Sequence, residues 1–417
     1  MASTERVPDY DITRAAGCPL DPAPALRQVP GPLSRVRLWD GSTAWLVTGH
    51  AEHRALLADP RVSVDRTRPG MPRVTEGADG AMTDAEARRM AELAKQRSVP
   101  GLSFILKDDP EHARLRRMVT GAFSIRRVEA MRPAVRTIVD RFLDELTAGP
   151  RPVDLVEAFA LPVPSLVICE LLGVPYTDHG FFQENSTTII SRSSTALQRF
   201  EAMGNLGEYL DEMVGRRLVE PGGDLLSTVA ERVRTGELPR QEAVGMAVLM
   251  LFAGHETTAN MIALGTLALL EHPDQLAVLR DTDDPRLVAS AVEELLRYLT
   301  ITHGGLMRVA VADLELAGQL IRAGEGIIVV SETANRDPAV FPDPDRLDLR
   351  RDARQQVGFG YGPHACVGQP LARMELQVAY PALLRRVPTL RLATTLDQIP
   401  FKQDGFVYGV HHLPVTW

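Results

Sequence analysis

Over most of this chain apolar residues recur at helical rather than strand spacing, and glycine and proline mark the breaks. Between residues 125 and 235 a run of helices is interrupted at Gly149-Pro150, Gly173-Val174-Pro175 and Pro221-Gly222-Gly223. Residues 241–270 read as the longest helix, about 45 Å at 1.5 Å per residue. Residues 166–172 read as a core segment carrying Cys169. Shorter helices are expected over residues 50–58, after Asp109-Pro110, and within 66–101, where Thr83-x-x-Glu86 forms a capping box and Pro100-Gly101 a stop. Strand patterns occupy two places. Arg37-Leu38-Trp39 and residues 44–48 flank Asp40-Gly41 as a hairpin, and residues 307–330 are strand-rich with a turn at 323–326. Residues 1–35, dense in proline, read as an irregular arm on the surface. The expected fold is mainly α with a small β region (α+β). No repeat or low-complexity linker divides the chain, so 1–417 reads as a single large domain.

Composition narrows the class. Hydrophobic residues make up 45% of the chain, enough for a large core, and a net charge of −8 argues against nucleic acid as a partner. Three cysteines (Cys18, Cys169 and Cys366) form no disulfide framework and fit a reducing compartment. The N-terminus lacks a basic–apolar signal pattern. The longest uncharged apolar run, 243–254, ends after 12 residues at His255-Glu256, too short to span a bilayer. A cytoplasmic protein without a membrane anchor is expected.

The chemistry centres on Phe359-Gly360-Tyr361-Gly362-Pro363-His364-Ala365-Cys366-Val367-Gly368-Gln369-Pro370-Leu371-Ala372-Arg373. Gly360 and Gly362 let the backbone turn tightly under a flat ligand, and Gly368 lets the following helix approach it. Pro370 suits the first turn of that helix. Cys366 then sits near a helix N-terminus, where the dipole and free N–H groups favour a thiolate, and a thiolate offered to a flat face suits a haem iron. A structural zinc site fails for want of neighbouring cysteine or histidine ligands.

The stretch 359–373 resembles the haem-ligand signature of the cytochrome P-450 family, F-x-x-G-x-x-x-C-x-G-x-x-L-A-R, at every fixed position. The resemblance implies haem b with Cys366 as axial ligand to the metal. Phe359, Gly360 and Gly368 would lie against it.

Elsewhere the residues and the resemblance are read side by side. His112 and Arg116 stand at i and i+4 on a helix face that also carries apolar residues; either they meet a buried anion or the helix is simply basic. The resemblance assigns them to a haem propionate, with Arg308 and His364 as further partners. In the longest helix, Ala253-Gly254-His255-Glu256-Thr257 places an acid and a hydroxyl among apolar neighbours. Thr257 either back-bonds to a carbonyl while Glu256 faces a second layer, or the helix opens locally and the two form an acid–alcohol relay beside O2. The family pattern A-G-x-[DE]-T, matched by Ala253, Gly254, Glu256 and Thr257, favours the relay, with Glu256 and Thr257 catalytic. Glu294 and Arg297, an E-x-x-R pair, would join Arg346 in a structural network beneath the haem; Leu347 departs from the aromatic residue usual after that arginine. Substrate contacts are expected from Leu249, Phe252, Ala253, Ile301, Phe406 and Val407, under a lid in 66–101 and roof helices in 177–220.

The expected function is a haem-thiolate monooxygenase that inserts one atom of O2 into a C–H or C=C bond of a small apolar organic substrate. Residues 61–66, 405–410 and 413–417 resemble actinobacterial members, which act on polyketides, macrolides, steroids or foreign compounds. No flavin or dinucleotide fingerprint is present, so a separate ferredoxin and ferredoxin reductase would supply electrons. Arg114, Arg117, Arg126 and Arg127 read either as a ferredoxin dock or as solubilising charge. Alternatives are a peroxide-using or isomerising haem-thiolate enzyme, against which Glu256-Thr257 speaks, and a non-catalytic haem sensor, against which the lack of an output domain speaks.

Overall fold

The computed structural model describes residues 7–74, 84–96, 103–191, 193–403 and 405–417. Ten strands are present among them: β1 (Leu33–Arg37), β2 (Thr43–Val47), β3 (Val62–Ser63), β4 (Val153–Asp154), β5 (Leu306–Ala310), β6 (Leu314–Leu316), β7 (Gln319–Ile321), β8 (Gly326–Val329), β9 (Arg391–Leu392) and β10 (Pro414–Thr416). Helices fill most of the remainder, as the apolar spacing predicts.

The largest sheet runs β1-β2-β8-β5-β3, with β2 and β8 parallel and the other pairs antiparallel. Alternation along β2 explains why both faces are covered. Trp45 and Val47 join Ile327 and Val329 on one face, while Ala44 and Leu46 join Ile328 on the other. Arg308 stands opposite Ile327 in this sheet. The second strand region was legible as a whole. The hairpin's first strand lies earlier than the residue pattern implies, at Leu33–Arg37, and so begins inside the stretch 1–35 that reads as an irregular arm. Asp40 Oδ1 accepts from Ser42 N (2.9 Å) and Ser42 Oγ (2.6 Å), and Gly41 takes a positive φ of 82°. This local loop removes Leu38 and Trp39 from the strand.

The longest helix is Arg240–Glu271. By length and composition it could cross a membrane, but its most apolar window is 78% buried in the protein, and it serves as the core helix. It packs on Pro162–Leu172 and on Gln369–Arg386, the helix that follows Cys366. At the second crossing Gly265 leaves room for Tyr380, whose hydroxyl donates to Met261 O. The roof region holds helices His179–Ile190 and Ala196–Val219, the second opened by a capping box of Thr195 and Gln198. Within 66–101 a helix covers Asp84–Gln96; the expected cap at Thr83 and stop at Pro100-Gly101 lie outside the described residues.

The N-terminal arm is more than a surface strap. Ala23 and Leu26 sit in the core against the sheet, and Arg14, 3% exposed, makes a buried ion pair with Glu332 at 2.8 Å. Proline density signals irregular backbone, which is correct here; it carries no information on burial.

Candidate active site

Three elements converge on Cys366. The loop before it is folded by Gly360 N donating to Val357 O (2.9 Å), Ala365 N to Gly362 O (3.0 Å) and Cys366 N to Phe359 O (2.9 Å). Gly360 and Gly362 both have φ of 71°, a conformation that excludes most side chains. Gly362 also lies so close to Leu57 O that a Cβ would collide. Beyond Cys366 the helix Gln369–Arg386 begins with Pro370 in its first turn. Burial pushes the Cys366 thiol up, while N–H groups of Gly368 and Gln369 and the charges of Arg116 and Arg373 oppose it. Cys366 is nevertheless accessible by area. Arg373 lies over the Phe359 ring, 4.6 Å from its centroid, and its guanidinium pairs with Glu293, so Phe359 is clamped beneath the loop.

Cationic and donor side chains gather around this loop. His112 and Arg116 come from helix Glu111–Thr120, Arg308 from β5 and His364 from the loop itself. The rings of His112 and His364 stack. His112 Nδ1 contacts Asp109 Oδ1 at 3.0 Å, whereas its Nε2 is buried with no hydrogen-bond partner. His364 is lowered to about 4, first by burial and then by the charges of His112 and Arg308. Arg308 is lowered to about 10 by burial; among the described residues its guanidinium has one hydrogen bond, to Met307 O at 2.8 Å, and no ion pair. Burial also lowers Arg116. The neighbouring acid, Asp108, accepts from Ser63 Oγ (2.5 Å) and Val64 N (3.0 Å) and faces Arg68 at 3.7 Å. The half-buried cations Arg116 and Arg308 and the buried, unpartnered Nε2 of His112 are costly without an anion. This donor set fits an anionic edge such as the propionates of a haem, and the thiol with its N–H donors fits the iron's axial position.

The polar centre of the long helix follows the plainer of its two readings. Thr257 Oγ1 donates to Ala253 O at 2.7 Å, Thr258 Oγ1 to Gly254 O at 3.3 Å, and the helix continues unbroken, without the local opening considered above. Glu256, 4% exposed, turns to a second layer and pairs with Lys402 Nζ at 2.8 Å. Phe252, Ala253, Gly254 and Thr257 are only half-buried where the rest of the helix centre is buried, so this stretch of a core helix borders accessible space. Gly254 has another role: a Cβ there would lie 2.7 Å from Ile168 Cδ1, so the glycine serves the packing of two helices.

The pocket candidates are joined by backbone. Thr302 bridges Val407, Tyr408 N donates to Ile301 O (2.7 Å), and His303 N donates to Phe406 O (3.0 Å). This places Ile301, Phe406 and Val407 on adjoining backbone segments. Leu249 is buried in the long helix, with Phe252 half-buried one turn on.

The cytochrome P-450 profile matches residues 222–407. Cytochrome P-450 GfsF of Streptomyces halstedii is 51% identical, over 99% of this chain and 97% of its own. The chain belongs to the cytochrome P-450 family. The crystal structure of GfsF superposes with a TM-score of 0.87, covering 99% of this chain and 100% of that one. Vitamin D3 dihydroxylase of Streptomyces griseolus is 47% identical over 94% of this chain and 92% of its own. The mycinamicin VIII C21 methyl hydroxylase of Micromonospora griseorubida, solved with mycinamicin VIII, superposes with a TM-score of 0.84 at 41% identity, over 100% and 99% of the two chains. The protein is thus an actinobacterial-type P-450 monooxygenase, and the family implies a haem with a cysteine thiolate ligand.

In this P-450 the buried Glu294–Arg297 pair is as expected, at 2.7 Å with neither side chain exposed. Its third member is not. Arg346 is exposed and contributes only its carbonyl, to Arg297 (3.3 Å) and Arg351 (3.2 Å). Arg351 supplies the guanidinium, 3.1 Å from Glu294 Oε1. Asp343 has a positive φ of 47° and the backbone winds through Pro342–Asp348, which turns Arg346 outward and Arg351 in. Nothing in the sequence separates these arginines, since both stand in a run of Asp, Pro and Arg. Lys402 and Asn260, which hold Glu256, also escaped the sequence reading.

Proposed function

We propose that Cys366 is the axial thiolate of haem b, that His112, Arg116, Arg308 and His364 take its propionates, and that the enzyme oxidises a small apolar molecule of the polyketide, macrolide or steroid class. The observation carrying this reading is the donor set beside the Cys366 loop, in which His112 Nε2 is buried with no hydrogen-bond partner and Arg308 has no ion pair among the described residues. When bound, haem supplies the activation of O2: one oxygen atom enters the substrate, and two electrons and two protons convert the other to water.

The chain's own residues do the rest. Gly368 and Gln369 N–H groups and Arg116 stabilise negative charge on Sγ. Phe359 and Gly360 shape the floor, while Leu249, Phe252, Ala253, Ile301, Phe406 and Val407 exclude water and orient the substrate. Thr257 Oγ1, which here donates to Ala253 O, would exchange that bond for one into the site, with Glu256, here paired with Lys402, as the acid behind it. The names of the mycinamicin and vitamin D3 hydroxylases support a largely apolar substrate of these classes. Ferredoxin and its reductase supply electrons. Arg117, Arg126 and Arg127 are exposed around Ile125, itself 74% exposed, and form the dock; Arg114 is tied to Glu242 and stands apart from it. The cytoplasm is the matching compartment.

The test is the spectrum of dithionite-reduced holoprotein under carbon monoxide. A strongly red-shifted Soret band supports thiolate ligation, and Cys366→Ala abolishes it. An imidazole-type band in the wild type, or no haem, overturns the assignment. Spin-state titration with mycinamicin VIII and with vitamin D3 then tests the substrate class.

A further inference from the structure

The polar centre of the long helix holds an ion pair that no motif announces. We propose that Lys402 is a positioning residue for proton delivery: it keeps Glu256 ionised, and it makes that charge depend on how the loop bearing Phe406 and Val407 is seated. This rests on the reading of Glu256 as the acid behind Thr257.

Lys402 Nζ lies 2.8 Å from Glu256 Oε1, with side chains 20% and 6% exposed. The same oxygen accepts from Asn260 Nδ2 at 3.1 Å, and that amide also donates to Glu256 O at 2.8 Å. Burial pushes the Glu256 carboxyl up, yet the net direction is down, and the charge of Lys402 is the largest opposing cause. The other titratable group acting on Glu256 is His255 of the same helix, which burial keeps neutral. The ionisation of Glu256 therefore depends mainly on one cation from another element.

That cation sits at the base of a closed loop. Lys402 N donates to Gly409 O (2.8 Å), Phe401 bridges Val410, and the Phe401 and Tyr408 rings stack at 5.8 Å. Asn260 occupies the space that a side chain at Gly409 would need. The far edge of the loop is the strand segment that pairs with Ile301–His303 at the pocket. A ligand pressing on Phe406 or Val407 thus bears on the segment that anchors the counter-cation. When Lys402 withdraws, Glu256 takes a proton from solvent through the partly exposed Lys402 side and becomes a donor; no electron moves. When Glu256 has passed that proton on through Thr257, Lys402 returns and pairs with the restored carboxylate.

The experiment compares holoprotein of the wild type, Lys402→Met, Lys402→Arg, Glu256→Gln and the double variant Glu256→Gln/Lys402→Met. Thermal stability against pH is the first measurement. In the wild type the Glu256 contribution is present above the ordinary carboxyl range and is lost as pH falls through its lowered pKa. In Lys402→Met only His255 and Asn260 still oppose burial, so the carboxyl rises and stability is lost as pH rises from about 4.3 towards it. The difference between the two profiles vanishes in the Glu256→Gln background. The second measurement is O2 consumption driven by a surrogate ferredoxin pair with no organic substrate. Its pH limb moves up by roughly 1–3 pH units in Lys402→Met, and Lys402→Arg restores it. An unchanged limb in Glu256→Gln sinks the relay reading itself. A changed limb in Glu256→Gln, with Lys402→Met matching the wild type in limb and stability slope, overturns the Lys402 proposal alone. Lys402→Gln, which removes the charge and keeps a donor, gives the same discrimination if Lys402→Met does not fold.

Discussion

The rings of His112 and His364 lie stacked with centroids 3.9 Å apart and planes at 29°, one from a helix and one from the Cys366 loop. The stack aligns the two residues, and with Nδ1 donating to Asp109 the unpartnered Nε2 of His112 donates to an anion when the ring carries both protons. His112→Phe keeps the stack and removes the donor. A hydrogen bond to a charged group is worth about 1.5–3 kcal/mol. Haem transfer to apomyoglobin should therefore show an affinity about 10–100-fold weaker, with helix content by circular dichroism unchanged. Unaltered haem retention would remove His112 from the cofactor's edge.

Thr257→Val removes the hydroxyl while its bond to Ala253 O is one the helix can lose without breaking. Haem content should match the wild type, while product formed per O2 consumed falls by about tenfold or more. Thr257→Ser should retain most of the coupling. Equal coupling in the valine and serine variants would refute the assignment.

Arg351 and Arg346 are separated by their partners. Arg351→Ala takes one charged hydrogen bond from the fully buried Glu294 while Arg297 still pairs with it, a loss of about 1.5–3 kcal/mol. Arg346→Ala removes an exposed side chain and should stay within about 0.5 kcal/mol of the wild type. Thermal melts of both variants decide the matter; the reverse order would restore Arg346 to the network.

Gly254→Ala drives a Cβ against Ile168, whose Cδ1 and Cγ1 lie 2.7 and 2.9 Å from that position. Overpacking of this kind costs about 1–3 kcal/mol. Ile168→Ala should be destabilising alone and should relieve Gly254→Ala in combination. Additive losses would mean the clash is relaxed elsewhere.

His53 is fully buried, donating to or accepting from Ser331 Oγ at 3.0 Å, and burial lowers it to about 3. Its neutral form belongs to the fold. The unfolded chain takes a proton below about pH 6.5 and the folded chain does not until about 3, so stability is lost on acidification across that window. The slope is at most about 1.4 kcal/mol per pH unit. His53→Gln should flatten denaturant midpoints plotted over that range, and an unchanged slope would contradict it.

The extent of the long helix, the glycine-turned loop before Cys366 and the two strand regions were all legible in the sequence. Each is specified by residues near one another along the chain: apolar spacing, positive-φ glycines, a proline in a first turn. His112 with Arg116 and Glu294 with Arg297 were legible for the same reason, since helical spacing alone puts each pair on one face. Which side chain meets which across the fold was another matter. Glu256 and Lys402 are 146 positions apart, Arg14 and Glu332 318 apart, and local pattern carries no trace of either contact. Arg351 replaced Arg346 through the path of an irregular segment, and Gly254 turned to Ile168 because the crossing of two helices required it. A buried charge selects its partner by what the packed fold brings within reach, and that geometry exists only once the chain has closed on itself.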